Sequence, residues 1–155
     1  MPYFAAVLAR TAAGWAAHEV DLDTVETIDD IAELVRDVAD TATASVLFVE
    51  QDDEYVGIVR VDGADDEPRV FLSHASSAVE YDLAGILADG VTEETGEDDD
   101  EDDPLGDATV VADLGTSARE LRALLRHEGT LPSDVITTVC EKAGCLPELE
   151  ALRAL

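Results

Sequence analysis

The sequence predicts an α+β protein: an antiparallel five-stranded sheet with covering helices, followed by a short all-helical C-terminal part. Three observations lead there. Five short apolar runs, beginning at Tyr3, Trp15, Ser45, Tyr55 and Arg69, are separated by polar or glycine-bearing connections. Other segments carry their apolar residues at the spacing of a helix face. Between these two kinds of region lies an acidic run, Glu93 to Asp107, with ten carboxylates and no basic residue. Crowded carboxylates repel, and nothing apolar between Thr95 and Leu105 offsets the entropy of ordering them. The expected organisation is therefore a sheet with two helices over 1–92, an acidic disordered loop over 93–107, and a helical subdomain over 108–155. That last part is expected to pack on the sheet or on a partner.

Taken in order, Tyr3 to Ala9 reads as a strand, Arg10 to Gly14 as a turn, and Trp15 to Val20 as the returning strand. Alternation puts Trp15 and Ala17 on one face, His18 and Val20 on the other. Thr27 is a good N-cap with Asp30 in the capping-box position, and Ile28, Ile31, Leu34, Val35 and Val38 form one stripe of the helix that follows. Ser45-Val46-Leu47-Phe48-Val49 is continuously apolar, as a central strand is. Tyr55 to Val61 is its antiparallel mate, with Gly57 marking a bulge or a close approach. Arg69 to Leu72 completes a meander interrupted by one helix. Ser77 and Glu80 make a capping-box pair ahead of Val79, Leu83, Ile86 and Leu87, and Gly90 stands beyond that helix.

After the acidic run, Leu105 to Leu114 fits either a short strand at Thr109-Val110-Val111 or one helical turn stopped by Gly115. Ser117 and Glu120 open a short helix faced by Leu121, Leu124 and Leu125. Pro132 and Ser133 open the next, with Val135, Ile136, Val139, Cys140 and Ala143 inward and Gly144 as its stop. Pro147 begins a last amphipathic segment carrying Leu149, Leu152 and Leu155. Three short helices with leucines on one side cannot bury themselves. They need the sheet, a second subunit or another protein, so Leu121, Leu124, Leu125, Leu149 and Leu152 are the candidate interaction residues.

The formal net charge is -28, with eight arginines and one lysine. Residues 1–92 hold 20 acidic and 4 basic side chains, residues 108–155 hold 7 and 5, so the front part and the acidic run carry nearly all the field. Such a surface repels nucleic-acid phosphates and attracts basic proteins. Arg119, Arg122 and Arg126 make a small basic stripe whose simplest use is to balance Glu120, Glu128 and the acidic run. No apolar run approaches the roughly 18–20 residues that span a bilayer, and Met1 to Phe4 lacks the positive region of a signal peptide. Two cysteines do not make a disulfide framework. The expected location is the cytoplasm.

Catalytic chemistry is hard to find. His18, His74 and His127 are far apart in sequence and outside any metal-ligand spacing. Ser73, Ser76 and Ser77 flank His74, but the glycine-flanked nucleophile elbow is missing and Ser77 already has a capping role. Cys140 and Cys145 are spaced neither as a redox pair nor as half a zinc site. The acidic run lacks the alternation of a calcium loop, and no phosphate-binding glycine pattern is present. No catalytic, cofactor-binding or metal-binding residue is assigned, and no cofactor is expected.

Several segments carry a likeness to a known family: Tyr3 to Thr11, Gly14-Trp15, Val59-Arg60-Val61-Asp62-Gly63, Pro68-Arg69-Val70-Phe71, Ala112-Asp113-Leu114-Gly115 and Gly144-Cys145. In these the chain resembles the tRNA adenosine deaminase-associated protein family of actinobacteria, over most of its length apart from the acidic run. The resemblance implies association with a tRNA-editing deaminase and brings no catalytic motif. The deaminase's own zinc signature, His-x-Glu with Pro-Cys-x-x-Cys, is absent from this sequence.

The expected function is thus that of a non-catalytic acidic accessory or interaction protein, with a tRNA adenosine deaminase as the implied partner. A homodimer is the other way to cover the leucine faces. The alternative is a small-molecule binder or an enzyme with a pocket between sheet and helices, near Trp15, Tyr55, His74 or Arg60.

Overall fold

The computed structural model describes residues 3–38, 44–51, 54–61, 68–74, 80–89, 105–106, 109–126 and 130–153. Strand β1 (Tyr3–Thr11) pairs with β2 (Gly14–Glu19) across a turn of two residues, Ala12 and Ala13. The strand is longer than its apolar run because Thr11 closes the turn. Its Oγ1 donates to the Gly14 carbonyl at 3.0 Å and accepts the Ala13 N–H at 3.2 Å. Gly14 takes φ 119°, a region that side chains disfavour.

Helix α1 (Ile28–Val38) starts on the expected cap. The Asp30 N–H donates to Thr27 Oγ1 at 3.2 Å, and Asp30 Oδ2 accepts the N–H groups of Thr27 and Glu26. The shorter acid therefore suffices in the box. Ile31, Ala32 and Val35 are buried, with Ile28, Leu34 and Val38 packed beside them.

Strands β3 (Ala44–Gln51), β4 (Tyr55–Val61) and β5 (Arg69–Leu72) complete the five expected strands. Their order differs from a simple meander. The sheet runs β2-β1-β3-β4-β5-β6, so β3 pairs with β1 and α1 carries the chain across it. The reason lies in the side chains. Ala5 to Ala9 is buried throughout, as a central strand is, whereas His18 and Glu19 leave β2 suited to an edge. The sixth strand, β6 (Leu105–Gly106), is a short addition that pairs with β5. These two residues leave the acidic run at its C-terminal end; residues 93–104 and 107 lie outside the described residues. So do the proposed caps at Ser77 and Gly90, and Asp62, Gly63, His127 and Leu155.

Both faces of the sheet are covered. On one, Val7, Leu47, Val49, Tyr55, Val59 and Leu72 meet α1 and α2 (Asp82–Asp89). Gly57 permits the close approach of α2, since a methyl group there would overlap Leu87 Cδ1. On the other face, Leu8, Val46, Phe48, Val56, Ile58 and Phe71 meet the C-terminal helices. Those are α3 (Ala118–Arg126), α4 (Pro132–Ala143) and α5 (Leu146–Arg153), preceded by a 3-10 turn at Ala112–Leu114. The single helical turn before Gly115 is the form taken by the ambiguous segment; Thr109 to Val111 is a turn, with Val110 and Val111 fully buried.

Local signals place the ends of these helices. Ser117 Oγ accepts the Glu120 N–H at 3.2 Å. Pro132 opens α4 while Asp134 Oδ2 accepts the Leu131 N–H at 3.1 Å. Gly144, in the left-handed region, returns its N–H to the Cys140 carbonyl. Lys142 ion-pairs with Glu120 and ties α4 to α3.

A tyrosine-lined acidic cleft as the candidate functional site

The leucines singled out as interaction residues face the chain's own sheet. Leu121 and Leu149 are fully buried and present no surface to a partner. Leu124 and Leu125 are half-buried against the same core, and Leu152 is half-buried on α5. The helices needed a surface to cover, and the second face of the sheet supplies it.

The residues named around a hypothetical pocket do not gather into one. His18 is exposed on the β2 edge, and Trp15 packs on the C-terminal-helix side, with the Arg10 guanidinium 5.8 Å from its ring centre. His74 pairs with Ser73: Ser73 Oγ lies 2.8 Å from His74 Nδ1. The same Oγ accepts the Val56 N–H at 2.8 Å. Ser73 is 1% exposed, which suits a clip between strands rather than a nucleophile. Cys140 and Cys145 are buried and not joined in a disulfide. Among the described residues, no group of three or more His, Cys, Asp or Glu side chains is placed to hold a metal ion. No helix of those residues is long and apolar enough to cross a membrane.

A cleft of about 440 Å³ opens where β1, the β2–α1 connection, β3 and the start of α2 converge. Leu22 and Leu83 line it from the core, and Val25 and Ile86 extend its apolar wall. Two phenols stand in it. Tyr3 sits in the first residue of β1, its oxygen accepting the Leu22 N–H at 2.5 Å and donating to Asp21 Oδ1 at 3.2 Å. Desolvation, with Asp23 and Asp21 beside it, pushes the Tyr3 hydroxyl up to about 12. Tyr81 packs on buried Tyr55 with ring centres 5.5 Å apart. Gln51, 8% exposed, accepts the Tyr55 hydroxyl through Oε1 at 2.9 Å. Its amide nitrogen makes no hydrogen bond with the described residues. Around these groups stand the exposed carboxylates of Asp23, Glu80 and Asp82, and no basic side chain lines the cleft among the described residues. Flat phenol faces, an apolar wall and unneutralised carboxylates suit a cation on an apolar stem. This cleft lies between sheet and helix, and none of Trp15, Tyr55, His74 and Arg60 lines it.

A protein-family model for Rv3753c-like tRNA adenosine deaminase-associated protein matches residues 3–146. The chain belongs to that family. No curated protein and no solved structure matches it. The matched span takes in the whole cleft, and it joins two of the segments on which the family resemblance rests, Val59 to Gly63 and Ala112 to Gly115. In this family member the two meet through Arg60. Arg60 is 3% exposed, the one charged side chain buried among the described residues. Its Nη1 and Nη2 donate to Asp113 Oδ1 and Oδ2, each at 2.8 Å, and Nη1 also donates to the Val110 carbonyl at 3.0 Å. The fork fits the carboxylate with two parallel bonds, and it holds the Asp113 carboxyl below the ordinary carboxylate value. Arg60 stands opposite Arg69 in the β4–β5 register, so Asp113 also offsets two neighbouring positive charges. This is a clamp between sheet and 3-10 turn, a structural use of a residue that had been a pocket candidate.

Tyr3, Gln51, Tyr81 and Asp23 were not singled out from the sequence. They come from four separate segments, and only the β1–β3 pairing and the packing of α2 bring them together. A strand-ending glutamine after an apolar run, Val46 to Val49, was the one local hint.

Proposed function

We propose that this chain is a non-catalytic accessory protein that binds a tRNA adenosine deaminase through its acidic surface. The observation that carries this reading is the family match over residues 3–146, whose description names that association. Physical chemistry gives the association a basis. An enzyme that acts on tRNA needs basic surface to meet phosphates, and a chain of net charge -28 complements such a surface. The same charge disfavours direct contact between this chain and tRNA. Burial of Leu121 and Leu149 moves the expected contact from the leucine faces to the polar surface.

The test is co-purification of the tagged chain with the deaminase of the same cell at moderate salt. A stoichiometric complex is expected. Recovery of the chain alone, with the deaminase in the flow-through, would remove this reading. A second reading, small-molecule binding, is supported by the cleft itself, whose volume lies within the roughly 300–1,000 Å³ of ligand pockets. Mass spectrometry of the chain released from a native preparation tests it, and a bound small molecule in stoichiometric amount is the result it requires.

A further inference from the structure

We propose that the cleft receives an arginine side chain from a protein partner, together with a main-chain carbonyl beside it. The proposal rests on the accessory reading above and adds the site and the chemistry of the contact. Two independent features point to this occupant. The first is the pairing of charge and shape. Asp23, Glu80 and Asp82 line the cleft together with Tyr3, Tyr81, Leu22 and Ile86. A guanidinium is planar, donates in a fork to carboxylates and stacks on phenol rings, while its three-carbon stem covers apolar surface. A phosphate-bearing ligand would meet three carboxylates and is excluded by the same charges.

The second feature is Gln51. Its side chain is more than nine-tenths buried and lines the cleft, with Oε1 held by the Tyr55 hydroxyl. That bond orients the carboxamide and leaves the amide nitrogen as a donor with no partner among the described residues. A guanidinium has no acceptor for it. A peptide carbonyl next to the arginine has, so a peptide segment satisfies the whole site where a free cation satisfies only the carboxylates. The volume of about 440 Å³ has room for such a side chain and its flanking peptide groups.

The probe is the blocked tripeptide acetyl-Gly-Arg-Gly-amide, titrated into the full chain labelled with nitrogen-15. Saturable shifts are expected at the Gln51 side-chain amide and the Tyr81 backbone amide. The citrulline analogue, with the same shape and no charge, should bind about tenfold more weakly. The double variant Glu80→Gln with Asp82→Asn should weaken the arginine peptide by about the same factor. Glu33→Gln with Asp37→Asn, which removes the same charge from the exposed face of α1, should leave binding within about twofold. Gln51→Met should weaken the tripeptide yet leave butylguanidinium, which has the guanidinium and an apolar stem but no carbonyl, unchanged. Shifts spread over all acidic surfaces, or equal weakening by the two double variants, would show a diffuse field and overturn the proposal. Co-purification separates this failure from that of the accessory reading. A deaminase that binds the Glu80→Gln, Asp82→Asn chain as well as the unaltered one refutes the cleft alone. A deaminase that binds neither refutes the accessory reading, and the tripeptide still decides the cleft.

Discussion

Arg60 shows how a residue's role depends on one partner that the sequence does not name. An arginine inside Val56 to Val61 has to be paired or reach solvent, because burial of a lone charge is costly. That much was legible. Which of 37 acidic side chains pairs with it was not, because Asp113 is 53 positions away and is brought in by the packing of the C-terminal part. Replacing Asp113 with Ala leaves the guanidinium short of its fork. Allowing for the half-exposed carboxylate, the loss should be about 1–3 kcal/mol in urea unfolding, and Arg60→Met in the same background should recover part of it. The sign of the pH effect follows from the lowered Asp113 carboxyl. Its stabilisation is present above the unfolded carboxylate value near 3.8 and is lost as pH falls through the lower folded value, and the Asp113→Ala chain should lack that acid-side slope. Tyr3 acts at the opposite end of the scale. Its folded hydroxyl titrates near 12 against an ordinary 10.0, so its contribution is complete below pH 10 and disappears as pH rises through 12. Tyr3→Phe should flatten the alkaline loss of stability between those values, read by thermal melts at successive pH values.

At the scale of elements, most of the fold was legible because the signals are local. The Thr27 cap, the proline at the start of α4, the Gly144 stop and the five strands are each written in a few adjacent residues. Strand order was not, since a hairpin followed by a helix is compatible with β3 on either side of the pair. The choice depends on which strand has two apolar faces, and β1 has them. The destination of the leucine helices was open for a related reason. Continuous burial in β3 and β4 implies cover on both faces, but α1 and α2 account for only one. Gly57 offers a direct check of the contact between α2 and the sheet. Gly57→Ala should cost about 1–3 kcal/mol, because its methyl group overlaps Leu87 Cδ1 in a filled core. The cost should shrink in the Gly57→Ala, Leu87→Val chain, measured as a double-mutant cycle. Full additivity of the two changes would mean that the glycine is not there for α2.

For the whole molecule, the same charge has opposite effects on fold and on association. With 37 acidic and 9 basic side chains, the folded state confines negative charge that the unfolded chain spreads out. The Debye length shortens from about 30 Å at 0.01 M salt to about 8 Å at 0.15 M, so much of the repulsion between distant carboxylates is screened over that interval. The melting temperature should therefore rise with sodium chloride and then level off, by about 2–4 °C for each kcal/mol of repulsion relieved. A complex with a basic partner depends on the unscreened field, so its affinity should fall over the same interval, mainly through slower association. One salt series read by melting temperature for the chain and by association rate for the complex tests both. Parallel curves would mean that the partner is held by apolar contacts, in which case the acidic coat serves solubility and the contact lies elsewhere. Opposite curves are the outcome expected of a protein whose carboxylates are both its internal strain and its means of recognition.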